Sequence, residues 1–151
     1  MIRLSNLADY AVVIMTAIAA RAPGTLNAPD MSAATGVPQA TAAKVMGHLK
    51  RAGLLESHRG IGGGFALARN ATLICVADII EAVDGPIALT NCIEEGPGDC
   101  SLTSICGMKP HWRVMNTAVR QALEGVTLDQ LAKPAPLFDL KDPAALAAAT
   151  G

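Results

Sequence analysis

The chain has 151 residues, 51% of them hydrophobic but only 3% aromatic, and a formal net charge of −1. That length suits one ordinary domain, or a small domain with an extension that packs on a partner, and excludes two full domains. A core that must be filled by Ala, Leu, Ile, Val and Met favours helices over strands, and the near-neutral total argues, taken alone, against a nucleic-acid binder.

The opening stretch, MIRLSNLADYAVVIMTAIAARAPG, imitates a secretory leader, with Arg3 ahead of an apolar run from Ala11 to Ala20. Asn6 and Asp9 interrupt the approach to that run. At helical spacing Leu4, Leu7, Ala11, Ile14, Met15 and Ile18 form one stripe, which predicts a first core helix over 4–20. Apolar runs stay well short of the ~20 residues of a membrane span. The reading is a cytoplasmic protein with no membrane partner, in a compartment where clustered cysteines bind metal more often than they form disulfides.

Pro23 and Gly24 end the first helix. Asn27 then caps a second helix over Ala28 to Thr35, with Asp30 in its first turn and Gly36 as its stop. Pro38 opens a third helix through about Ala52, whose inward stripe is Ala42, Val45, Met46 and Leu49. Two helices joined by a tight Gly-containing turn, the second with polar residues outward, make a helix-turn-helix. Leu54 to His58 and Phe65 to Arg69 are short strand candidates, and the glycines between them allow a hairpin, the wing of a winged helix. The intervening GIGGG is not a phosphate loop, because it joins strand to strand rather than strand to helix.

Val76 to Val83 reads as a short helix, and the loop after it is long enough to need a functional reason. Lys109 to Leu123 reads as a long helix whose stripe Trp112, Met115, Val119 and Ala122 suits burial against a second copy. GVTLDQLA makes a last short helix, and the Pro- and Ala-rich end is expected to be mobile. The fold class is mainly α with a small β-hairpin wing. A winged helix-turn-helix over 1–84 precedes a ligand-binding loop over 85–108, a dimerisation helix and short helix over 109–132, and a tail over 133–151.

Charge is divided along this order. Residues 1 to 69 hold seven Lys or Arg against three acidic residues, whereas residues 70 to 151 hold five against ten. A basic half that meets a polyanion and an acidic half with another task follow from that asymmetry. Gln39, Thr41 and Lys44 fall near the start of the third helix on its outer side, where base edges are read. Lys50 and Arg51, near its end, suit phosphates, and Arg59 in the wing suits a narrow minor groove. His48 reads as a solvated helix residue. No side chains pair as a nucleophile and base would, so an enzyme is a poor reading.

The segment NCIEEGPGDCSLTSIC, 91–106, places Cys92, Cys100 and Cys106 with seven and then five residues between them. Zinc knuckles bring ligands together with two to four intervening residues. The longer gaps suit an iron–sulfur cluster, whose separate irons take thiolates from different directions, while zinc or no metal at all stay open. Cys75 reads as a small buried hydrophobe rather than a ligand.

The opening RLSNLADYAV, the helix-turn-helix, RGIGGGF and the three-cysteine loop followed by a Trp-bearing helix together resemble the winged-helix iron–sulfur regulators that include IscR, NsrR and RirA. The resemblance covers residues 2 to about 132 and is closest to the branch that regulates the SUF cluster-assembly system. It implies a homodimer with crossed long helices, a double-stranded DNA operator and a cluster, 4Fe-4S or 2Fe-2S. It also implies Cys92, Cys100 and Cys106 as the thiolate ligands. In the IscR branch a histidine three positions after the last cysteine completes the set, but Lys109 stands there and His111 two residues further on. In the NsrR branch an aspartate from the first helix of the other subunit does so, and Asp9 occupies the matching place. Asp9 is favoured, because ligation would explain an acid in an apolar helix, and His111 is the alternative. The function read from all this is a repressor or activator that senses cluster, iron, redox or nitric-oxide status. A zinc-stabilised or metal-free winged-helix adaptor that binds DNA or protein without sensing is the alternative.

Overall fold

Ser5, not Leu4, marks the start of the first helix. Its hydroxyl accepts a hydrogen bond from the Ala8 amide at 3.0 Å, and the cap decides the boundary over the apolar period. Helix α1 therefore spans Asn6–Arg21 in the computed structural model, which describes residues 3–93, 100–102 and 104–133. Its inner side is Ala8, Ala11, Ile14, Met15 and Ile18. Leu7 packs against the core from its margin, and Leu4, ahead of the helix, is exposed.

Helix α2 is Ala28–Thr35, capped by Asn27 Oδ1 accepting from Asp30 N at 2.8 Å and closed by Gly36 at φ 76°. Helix α3 is Gln39–Arg51 and buries Ala42, Val45, Met46 and Leu49, the whole expected stripe. Full burial of a Val, Met or Leu side chain contributes about 1.5–3 kcal/mol, so Val45, Met46 and Leu49 fix the orientation of α3.

Strands β1, Leu55–His58, and β2, Gly64–Leu67, pair antiparallel with Leu55 opposite Leu67 and His58 opposite Gly64. The hairpin turns through Gly60 and Gly62 at φ 101° and 76°, a region where side chains other than glycine are strained. A contact the sequence reading lacked widens this sheet: Leu26 exchanges both backbone hydrogen bonds with Phe65, at 3.0 and 2.8 Å. Gly64 permits that approach, since a Cβ there would lie 2.7 Å from the Leu26 carbonyl carbon.

A 3-10 turn at Ala71–Leu73 leads into α4, Val76–Asp84. Helix α5 is Lys109–Glu124 and α6 is Leu128–Ala132. The chain after α5 returns to the winged helix: Leu128 N donates to Ile74 O at 2.8 Å, Val76 N donates to Val126 O at 2.9 Å, and Leu128 is buried in the main core. A smaller cluster of Ala8, Val76 and Ile80 receives Leu123 of α5 and Leu131 of α6. Among the described residues no helix is long and apolar enough to cross a membrane. The expected mobile tail lies, apart from Lys133, outside the described residues, as do positions 94–99 of the cysteine loop.

Candidate nucleic-acid interface and cysteine loop

With its apolar stripe turned inward, α3 leaves its remaining positions for a partner. Gln39, Lys44, Lys50 and Arg51 are exposed, while Thr41 and His48 are half-buried. Lys50 has a second attachment that its sequence position did not suggest: Nζ donates to Ser57 Oγ of β1 at 2.6 Å. The cation thus ties the end of the recognition-helix candidate to the wing. Arg59 follows β1 directly and is exposed, and Ile61 at the hairpin tip is fully exposed. The hairpin context of GIGGG agrees with its reading as a wing and not a phosphate loop.

On the other face of the wing, an open cleft of about 590 Å³ is lined by Thr25, Glu56, His58, Arg69 and Asn70, among others. Its charged groups pair within the chain, His58 with Glu56 at 3.0 Å and Arg69 with Asp78 at 3.8 Å.

The four cysteines are thiols, not disulfides; Cys92 is buried and Cys75, Cys100 and Cys106 are half-buried. The Thr90 hydroxyl lies 3.4 Å from Cys92 Sγ. Among the described residues no three His, Cys, Asp or Glu side chains form a group that could hold a metal ion. The structure therefore leaves the three loop thiols unassembled, with neither Asp9 nor His111 completing a set. In donor chemistry the loop suits an iron–sulfur cluster, because it offers three thiols on one segment with no disulfide consuming them.

Asp9 is exposed in the first turn of α1, where a carboxylate complements the helix dipole, so burial creates no demand for a ligand. His111 is likewise exposed, in the first turn of α5. Cys75 is half-buried rather than buried. It precedes α4, donates its backbone N–H to Asp78 Oδ2 at 3.1 Å, and burial pushes its thiol pKa up.

Sequence reasoning missed the side chain that anchors the start of the cysteine loop. Asn116 is 4% exposed and is the single buried polar residue among those described. Its Oδ1 accepts from Leu89 N at 2.9 Å and its Nδ2 donates to Ile87 O at 3.0 Å. Glu81 of α4 accepts from Ile87 N at 3.4 Å and from Arg120 at 3.0 and 3.3 Å. The Arg120 hydrogen bonds hold the Glu81 carboxyl below its usual pKa and raise that of the guanidinium. The available signal was positional, since Asn116 follows Trp112 by four and precedes Val119 by three. Trp112 and Val119 are half-buried, whereas Met115 and Ala122 of the expected stripe stay exposed in the single chain, beside Val114.

A family model described as Rrf2, iron-dependent transcriptional regulator, matches residues 4–134. Protein aau3 of Rhizobium meliloti (strain 1021) is 33% identical over 145 residues, covering 93% of this chain and 94% of that protein. The HTH-type transcriptional regulator IscR of Xenorhabdus nematophila is 30% identical, over 93% of this chain and 85% of its own. The solved structure of CymR, the global cysteine regulator of B. subtilis, superposes with a TM-score of 0.69 at 26% identity, covering 87% of this chain and 97% of CymR.

Proposed function

The chain belongs to the Rrf2 family of transcriptional regulators, and on that premise we propose that it is a homodimer whose affinity for a duplex operator depends on an iron–sulfur cluster. It is a winged-helix DNA-binding regulator and not an enzyme. The finer reading rests on one observation above all: three thiols on a loop whose first residues are hydrogen-bonded to α4 and α5.

Cys92, Cys100 and Cys106 would hold the cluster, with Asp9 of the partner subunit ahead of His111 for the remaining position. Asp9, exposed in the single chain, is accessible to another subunit. When bound, the cluster supplies a centre that responds to iron supply and oxidants. Metal binding also supplies ordering free energy, so thiols that stand unassembled in the single chain are compatible with ligation. IscR as a relative supports a cluster, and regulation of cluster assembly or of iron, redox or nitric-oxide response genes is the regulon proposed.

Dimerisation through α5 is supported by its uncovered apolar side chains, Val114 at 69% and Met115 at 38% exposure, and by Met108 just ahead of it at 49%. On the DNA side, Gln39, Thr41 and Lys44 read bases, Lys50 and Arg51 meet phosphates, and Arg59 enters the minor groove. The competing reading is a zinc-stabilised or metal-free winged-helix adaptor that binds DNA or protein without sensing. It is supported by the likeness to CymR, which is described as a cysteine regulator.

Colour and metal content separate the two. Protein purified without oxygen should be brown, with visible charge-transfer absorption and roughly two or four irons per chain, matched by sulfide. Colourless protein that holds only zinc, or nothing, after anaerobic reconstitution with ferrous iron and sulfide would overturn the cluster reading.

A further inference from the structure

Ile87 to Leu89 lead from α4 toward Cys92, and their backbone is held by side chains of two different helices. Asn116 of α5 takes the Leu89 amide and gives to the Ile87 carbonyl, at 2.9 and 3.0 Å. It meets backbone groups two residues apart on one segment, as a neighbouring strand would. Glu81 of α4 takes the Ile87 amide and is itself held by Arg120 of α5. Because Asn116 is 4% exposed, water does not reach it to replace these bonds, and breaking them leaves a buried polar group unsatisfied. A displacement of the loop at Cys92, three residues beyond Leu89, is therefore costly unless α5 follows it.

We propose that Asn116 is a positioning residue that passes movement of the cysteine loop to α5, and through the Glu81–Arg120 pair to α4 and the winged helix. This rests on the cluster-sensing reading above. Its mechanism is a side chain with two defined partners rather than a diffuse path, so removing that side chain should uncouple the loop from the DNA-reading unit. The two arms have different parts. Asn116 joins the loop to the helix across which two copies would meet, and Glu81 joins the same backbone to α4, which packs on α1 and α3.

The test compares DNA affinity of anaerobically reconstituted protein, loaded with ferrous iron and sulfide, with that of the same protein after chelation. The variants are Asn116→Leu, close in volume but unable to bond, and Asn116→Asp, which still accepts from Leu89 N but cannot donate to Ile87 O. Wild type should show a loaded-to-chelated ratio within the usual allosteric range of about 5- to 150-fold. Asn116→Leu should bring that ratio to within about twofold of unity while chelated protein keeps its affinity, and Asn116→Asp should fall between. Hydrogen exchange at the Leu89 amide should quicken in Asn116→Leu and less in Asn116→Asp, a change that does not depend on the cluster. If Asn116→Leu does not fold, Asn116→Asp decides: an unchanged ratio overturns the relay. A wild-type ratio of one overturns the sensing reading and the relay with it. A responsive wild type with equally responsive variants overturns the relay alone.

Discussion

Lys44 and Lys50 lie on one helix and end in different surroundings. Lys44 is exposed near the start of α3, and Lys50 donates to Ser57 of the wing. Lys44→Ala should cost about 1–3 kcal/mol on a specific operator and much less on random duplex. Lys50→Ala should weaken both duplexes alike and lower the slope of log affinity against log salt by about one. Ser57→Ala keeps the Lys50 charge, so it should leave that slope intact while loosening the wing. Fluorescence anisotropy across a salt series on both duplexes checks the ranking, and equal losses everywhere would misplace the reading face. For the fourth ligand, Asp9→Ala should change the visible spectrum or oxygen lability of the cluster and His111→Ala should not; the opposite ranking moves the role to His111. Exposure does not count against Asp9, because a ligand offered to a second subunit lies at the surface of its own chain.

Helix α4 meets α5 through an ion pair, and that pair gives their packing a pH dependence. Arg120 holds the Glu81 carboxyl below its ordinary value of 4.5. A depressed carboxylate contributes stability that is fully present above 4.5 and is lost as pH falls through the lower, folded-state value. Glu81→Gln should therefore be less stable than wild type near neutrality, with the gap narrowing below pH 4.5. Urea melts at pH 7 and near pH 3 measure it, and a gap that is constant or widens in acid would contradict this account of the pair. Elements coded by local signals were legible in the sequence. The bounds of α2 follow from Asn27 and Gly36, and the inner stripe of α3 from its period. What was not legible is long-range: Leu26 on Phe65, Leu128 beneath Ile74, and Asn116 on the loop depend on chain segments about 30 to 55 residues apart. The three cysteines were legible as a constellation, but their spacing does not fix where the loop between them places each sulfur.

At the scale of the molecule, the proposed regulator is a homodimer. A helix-turn-helix reads a half-site, and two half-sites are held in register by a two-fold dimer. The uncovered apolar residues of α5 supply a face for it. Met115→Glu places a charge in that face and should give a folded monomer by sedimentation, with operator affinity reduced at least about tenfold, as loss of the second half-site requires. An unaltered dimer would move the interface elsewhere. Cluster, loop, α5 and DNA-reading helices form one chain of cause in this account, so its ends can be measured together. The direct measurement is the affinity of one anaerobic preparation for a duplex that the protein itself selects from random sequence, taken before and after removal of iron and sulfide by chelation. A change of about 5- to 150-fold between the two states is expected. Equal affinities, on protein shown by its spectrum to have gained and lost the cluster, would contradict it.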